Sequence, residues 1–296
     1  MSIRKKIIYL FEYSLILIFY HFLRLLPLKQ ASNMGGFLGR LCLRFFRLKV
    51  TRQNLNLALP HLTPAAEKKI IRQFHDNYGR NFVEYFFLDR LKNEPELSVN
   101  IKSPEILKDI QLNDRPKIVI TAHYGNWEIA LWALNQAGFP LNPIYRKINN
   151  AYINDLILNL RANFAEQQVK KGPSAGKESL KLLRKGKNLV LLVDQKMQEG
   201  LSVPLFGKNA MTPNGAVKLA LMSNAQIIPG RIIRKNNIDF DLYLEPPIEY
   251  NKDSPTVEYD TLLQINQTLE RWVLEHPEQW FWFHRRWDKS FYTTEN

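Results

Sequence analysis

The sequence predicts an α/β fold, a sheet covered by helices, with a membrane-anchoring helix at the N-terminus. Three observations carry this. Apolar, β-branched runs alternate with helically periodic stretches through the last two-thirds of the chain. Several of those runs end in polar residues of catalytic type. The first thirty residues hold one long apolar run behind a basic triplet. The organisation expected is an anchor over 1–30, a helical, membrane-proximal segment over 31–95 and an α/β catalytic region over 96–296.

The anchor comes first. Arg4-Lys5-Lys6 precede Ile7 to Leu28, a run interrupted only by Glu12, Ser14, His21 and Arg24. Its length suits a spanning helix. Glu12 and Arg24 would each cost about 2.5–3.5 kcal/mol at a bilayer centre, but both lie toward the ends, where side chains can snorkel. No small-x-small cleavage site follows, which argues against a signal peptide. A buried helix of a soluble domain is the plainer alternative. Basic residues flank the run on both sides, so the positive-inside rule gives no orientation. From Gly36 to Leu48, Arg40, Arg44 and Arg47 recur at i, i+4 and i+7 among Phe37, Leu41, Leu43, Phe45 and Leu48. That spacing predicts an interfacial helix with one arginine face, against a domain helix with a solvated basic stripe. Helices are then expected over Pro64–Phe74 and Tyr78–Leu91.

Strands are expected at 117–122, 141–146, 188–194, 225–233 and 238–244, and helices at 126–137, 150–164, 175–185, 213–224 and 256–275. Alternation of this kind is the mark of a sheet covered by helices. Ile118–Thr121 leads into His123, Leu141–Ile144 into Tyr145-Arg146, and Leu189–Val193 into Asp194-Gln195. If those strands run parallel, the polar residues share the carboxyl edge, where open α/β sheets bind ligands.

Composition narrows the chemistry. A hydrophobic content of 45% supplies a core and argues against disorder. A single cysteine, Cys42, excludes an intramolecular disulfide and C-x-x-C chemistry, and no HExxH or histidine cluster suggests zinc. A net charge of +13 calls for an anionic partner: a membrane surface, a phosphorylated lipid, an acidic carrier protein or nucleic acid.

The densest chemical signal is Ile118-Val-Ile-Thr-Ala-His123-Tyr-Gly-Asn-Trp-Glu128. A strand-end histidine with a carboxylate held nearby is the minimum for general-base activation of a hydroxyl. The i, i+5 spacing needs the Gly125-Asn126 turn to bring Glu128 back to His123. A lone histidine here would be a hydrogen-bonded core residue. Gly172-Pro-Ser174-Ala-Gly176 matches the nucleophile elbow G-x-S-x-G formally, which keeps a serine hydrolase as the alternative from another class. The preceding Ala165–Lys171 is too polar for the elbow's strand, however, and Ser174 reads better as a helix N-cap. His284-Arg285-Arg286 lie among Trp280, Phe281, Trp282, Phe283 and Trp287; such a cluster is more often core or membrane-contacting than a nucleic-acid stacking surface, so no nucleic-acid partner is expected.

The order of blocks extends the reading. The H-x4-E segment, Tyr145-Arg146 with Asn149-Asn150, Arg161, Leu191–Gln195, Val203–Gly207, Ala210–Thr212, Gly215-Ala216 and Pro277–Arg286 together resemble the lipid A biosynthesis acyltransferases of the lysophospholipid acyltransferase superfamily, over about residues 5 to 290. Two positions depart: Asn154 stands where the family often has aspartate, and Glu128 is the glutamate variant of a motif that is aspartate in glycerolipid acyltransferases. The resemblance implies a glycerolipid-acyltransferase-like sheet and a cofactor-free enzyme with no metal. It implies transfer of a fatty acyl chain from an acyl-carrier-protein thioester to a hydroxyl of a lipid A precursor. It places His123, Glu128, Arg161 and Asp194 in catalysis, with His123 as base oriented by Glu128, and Arg146 and Asn126 at the substrate. It also implies an anionic membrane as a partner and the cytoplasmic face of the bacterial inner membrane as the location. A lysophospholipid or glycolipid acceptor is the alternative within the superfamily.

Overall fold

The structure is a computed structural model and describes residues 2–292. Four helices open the chain: α1 (Ile3–Leu23), α2 (Leu28–Cys42), α3 (Leu48–Ala58) and α4 (Pro64–Glu84). There follow β1 (Ser98–Ile101), α5 (Pro104–Leu112), β2 (Lys117–Thr121), α6 (Trp127–Gln136), β3 (Leu141–Tyr145), α7 (Ala151–Arg161), β4 (Val169–Lys170), α8 (Ala175–Arg184) and β5 (Asn188–Leu192). The hairpin β6 (Leu201–Leu205) and β7 (Lys208–Thr212), then α9 (Gly215–Ser223), β8 (Gln226–Asn236), β9 (Asp239–Leu244) and α10 (Val257–Glu275) complete the order.

The seven-stranded sheet runs β1-β9-β8-β2-β5-β3-β4, and only the β8–β9 pair is antiparallel. β2 lies at its centre and is buried on both faces, as its continuous apolar run requires in a parallel sheet. Ile118 and Ile120 enter the core under α4, α8, α9 and α10. Val119 points the other way, into the core under α5, α6 and α7. Residues of the opening helices enter both cores: Leu55 and Phe74 the first, Leu23, Leu28 and Val83 the second.

Three expectations about the opening helices need correction. Residues 64–84 form one continuous helix where two were expected. It starts at Thr63, whose hydroxyl accepts from the Ala66 N–H, with Pro64 in the first turn. Gly79 does not break it because α2 crosses there: a methyl group on Gly79 or Gly39 would collide with the facing backbone. Second, no single helix spans 36–48. α2 ends at Cys42, and Arg47, in the left-handed region at φ 47°, opens α3. Arg40 pairs with Asp76 on α4, Arg47 donates to the Phe283 carbonyl at 3.1 Å, and Arg44 lies over Phe45. The arginine face therefore does not form. Phe37, Leu41, Phe45 and Phe46 are the large apolar residues left exposed there. Third, the anchor's costly charges have protein partners. Glu12 accepts from the Asn150 amide at 3.0 Å, and Arg24 reaches both oxygens of Asp89 at 2.8 Å. By length and composition α1 could cross a membrane, and only 6% of its most apolar window is buried.

Candidate functional site

The site grows from the register of the central strands. β2 and β5 run parallel with Thr121 opposite Leu192, so His123 and Asp194, each two residues further on, arrive side by side. His123 Nδ1 lies 2.8 Å from Asp194 Oδ1, and the His123 backbone N–H donates to Oδ2 at 3.0 Å. The Trp280 indole N–H also donates to Oδ2, at 3.0 Å. Burial pushes the Asp194 carboxyl up, but the charge on His123 and these hydrogen bonds outweigh it and hold the group below its ordinary value. An ionised carboxylate only accepts, so Nδ1 carries a proton, and in the neutral ring Nε2 presents its lone pair. The imidazole sits between Trp127 and Phe281, with ring centroids 5.0 and 5.6 Å away, and its side chain stays 22% exposed. An oriented, accessible imidazole is the arrangement a general base needs.

Glu128 is not beside this ring. Its carboxylate turns to the next loop of the sheet, where Arg161 at the end of α7 binds it through both Nε (2.8 Å) and Nη2. The Trp127 indole adds a bond at 3.1 Å. Tyr85 also bonds this pair and lies under the Arg161 guanidinium, 5.3 Å from its carbon. Burial would lower the Arg161 pKa, but Glu128 and Tyr85 reverse this and raise it. The expectation that Glu128 orients His123 is thus corrected. The two form separate pairs, because Asn126 starts a new helix whose first turn carries Glu128 away from the strand end. Glu128 at the start of α6 and Arg161 at the end of α7 each also match the sign of their helix dipole.

Asn126, expected at the substrate, is committed elsewhere. Its carbonyl oxygen accepts the Glu128 and Ile129 N–H groups at 3.1 and 3.2 Å, and its amide donates to Glu84 at 2.6 Å. It is a buried N-cap whose side-chain oxygen and nitrogen are both engaged by the protein. Arg146 is exposed at the end of β3 and, among the described residues, makes no ion pair. Ser174 is exposed at the N-cap position of α8, makes no capping bond, and lies in no histidine arrangement.

What sequence reasoning missed is the support beneath the turn. Glu84, fully buried, receives two bonds from Arg234 on β8 at 2.6 and 2.8 Å and one from Ser32 on α2 at 2.6 Å. Arg234 also donates to Asn77 and Asn81 on α4, at 2.8 and 2.6 Å. Both asparagines donate to the Gly125 carbonyl, and Gly125 donates to the Gln279 carbonyl at 3.0 Å. Gly125 has φ 56°, and a Cβ there would strike the Ile232 carbonyl. The turn after His123 is held from α2, α4, β8 and the C-terminal tail at once. These residues are scattered over two hundred positions and carry no motif. The tail itself is core: Trp280, Trp282, Phe283 and Trp287 are buried.

The chain is 26% identical over 275 residues to the lipid A biosynthesis lauroyltransferase of Escherichia coli K12, covering 88% of this chain and 86% of that one. It is 24% identical over 271 residues to the palmitoleoyltransferase of the same organism and to a lipid A biosynthesis acyltransferase of Shigella flexneri, with the same coverage. The model of the bacterial lipid A biosynthesis acyltransferases matches residues 1–289, nearly the whole length, and the chain is a member of that acyltransferase family.

Proposed function

We propose that the protein transfers a fatty acyl chain from an acyl-carrier-protein thioester to a hydroxyl of a lipid A precursor, on the cytoplasmic face of the bacterial inner membrane, with α1 as its anchor. The observation that supports this reading most is the His123–Asp194 pair at the carboxyl edge of the sheet, with Nε2 unengaged. Nε2 takes the acceptor's hydroxyl proton as the oxygen attacks the thioester carbonyl. The tetrahedral intermediate expels the carrier thiolate, and the imidazolium returns the proton to that sulfur. Asp194 fixes the tautomer and stabilises the imidazolium, as the carboxylate of a serine hydrolase does. General-base catalysis of this kind contributes about 10²–10⁴ in rate. No step needs a metal or cofactor. Glu128 and Arg161 act by joining the first turn of α6 to the last turn of α7, which line the site. Exposed and unpaired, Arg146 is the better guanidinium for an acceptor phosphate. Mass spectrometry of lipid A from cells with and without the gene tests the reading. Loss of one secondary acyl chain is expected; unchanged lipid A, together with no transfer by the purified protein from a carrier thioester, would overturn it.

A further inference from the structure

One basic stretch of this molecule lies along the outer edge of the sheet. Residues 145–187 hold ten basic and three acidic residues of a chain whose net charge is +13. Pairing of β3 with β4 sets Tyr145 opposite Lys170, and the Lys171 N–H donates to the Tyr145 carbonyl at 2.8 Å. Arg146 and Lys147 therefore lie beside Lys170 and Lys171 on the outer edge of the sheet. α8 follows directly, and its exposed face carries Lys177, Lys181 and Arg184 at i, i+4 and i+7. Among the described residues, none of these seven side chains makes an ion pair or a hydrogen bond. Several cations elsewhere, Arg24, Arg40, Arg80, Arg90, Arg231 and Arg234 among them, are instead paired with carboxylates.

The surface also lacks something. α1 exposes Ile7, Phe11, Leu15 and Ile18, and the region around α2 exposes Phe37, Leu41 and Phe45, as a lipid-facing surface does. Across residues 145–187 Ile148, at 38%, is the one large apolar side chain exposed among the described residues. Seven free cations with so little exposed apolar surface among them suit a soluble, acidic macromolecule better than a bilayer. The patch adjoins the carboxyl edge, where Tyr145-Arg146 and Asp194-Gln195 end their strands. A partner bound there has its bound group within reach of the site.

We propose that the β3–β4 edge and the exposed face of α8 form the docking surface for an acidic protein, the carrier that delivers the acyl thioester. This rests on the reaction proposed above. Docking by charge raises the encounter rate and is screened by salt. The test uses the full-length protein and the triple variant Lys177→Glu/Lys181→Glu/Arg184→Glu, which leaves the site and Arg146 untouched. Binding of acidic acyl carrier protein is measured by fluorescence anisotropy at low and high salt, alongside anionic vesicles and a single-stranded oligonucleotide. Transfer is followed from carrier-bound and from acyl-pantetheine thioesters. Expected are at least a tenfold weaker carrier affinity, on the order of what losing several steering charges costs, a matching rise in KM, unchanged kcat and unchanged use of acyl-pantetheine. Vesicle binding should not change. Wild-type-like carrier binding by the variant overturns the proposal, as does a wild type that binds no carrier. A loss confined to vesicles or oligonucleotide reassigns the patch to that partner and also overturns it. A wild type that binds carrier through the patch yet transfers nothing would instead refute the proposed reaction and leave the docking surface standing.

Discussion

Two acid–base pairs sit at the carboxyl edge of the sheet, and they are built for different work. In His123–Asp194 the base is 22% exposed, one ring nitrogen is unengaged, and the carboxylate is held by a backbone N–H and an indole. In Arg161–Glu128 the fork is closed on itself, capped by Tyr85 and Trp127, and both side chains are buried or nearly so. One pair can accept a proton from a ligand. The other has its hydrogen-bonding capacity spent on the protein. Nearness in sequence suggests His123 with Glu128, whereas strand adjacency gives His123 with Asp194.

The most severe break in this comparison is His123→Ala, which should remove essentially all acyl transfer. Asp194→Asn should lower kcat by about 10²–10⁴ with KM little changed, since the neutral amide can no longer enforce the tautomer. The double variant should be no worse than His123→Ala, because the two act as a unit. Purified-enzyme kinetics measure this. Full activity in Asp194→Asn would dissolve the pair.

Glu128→Gln and Arg161→Gln should act through folding. Each leaves a buried charge without its partner, a loss of about 3–5 kcal/mol, visible as a lower midpoint in thermal or urea unfolding. Replacing both with neutral residues should recover part of that stability. A Glu128→Gln protein with wild-type stability but the kinetic defect of Asp194→Asn would return Glu128 to the chemistry and erase the distinction between the pairs.

Gly125→Ala tests the support shared by both pairs. The added methyl meets the Ile232 carbonyl and the backbone sits at a positive φ, so about 1–3 kcal/mol of destabilisation is expected. Activity should fall further than the unfolded fraction accounts for, because the same turn sets His123 and the start of α6. A loss of stability with intact kcat would show that the turn does not position the base.

How much of this was legible in the sequence follows the range of each signal. The central strands and the helices from α6 onward were readable because apolar periodicity is local. So was the convergence of His123, Arg146 and Asp194 on one edge, since parallel strands end on the same side. β1, β4 and the β6–β7 hairpin escaped because they are short and only half buried. The choice of carboxylate for His123 needed the strand order, which places β5 beside β2 although a whole α-β-α-β-α passage separates them. Arg40 and Arg47 illustrate the same limit. Their helical spacing was real in number, but a turn after Cys42 sent them to different partners. Glu84, Arg234 and the asparagines of α4 left no local trace at all, since a buried polar network is defined by contacts across the fold.

The smallest effect concerns acid, and it separates the carboxylate beside His123 from its surroundings. His75 is buried among Phe74 and Phe283, with no partner for Nε2, and burial lowers its pKa to about 4 from 6.5. The unfolded chain therefore takes up this proton first, and stability should decline as pH falls from about 6.5 towards 4, then level off. Asp194 has its folded pKa depressed below 3.8. Its contribution is present above that value and is lost only as pH falls through the lower, folded one. The two windows adjoin without coinciding. His75→Phe, which keeps a ring against Phe283, should make the decline between pH 6.5 and 4 shallower, the rest belonging to His284, whose pKa burial also lowers, and leave the steeper loss below it. Asp194→Asn should do the reverse. Urea unfolding across pH 3 to 7 reads both slopes. If Asp194→Asn flattened the upper window instead, the carboxylate would be titrating there, and the His123–Asp194 pair would not be held as its geometry requires.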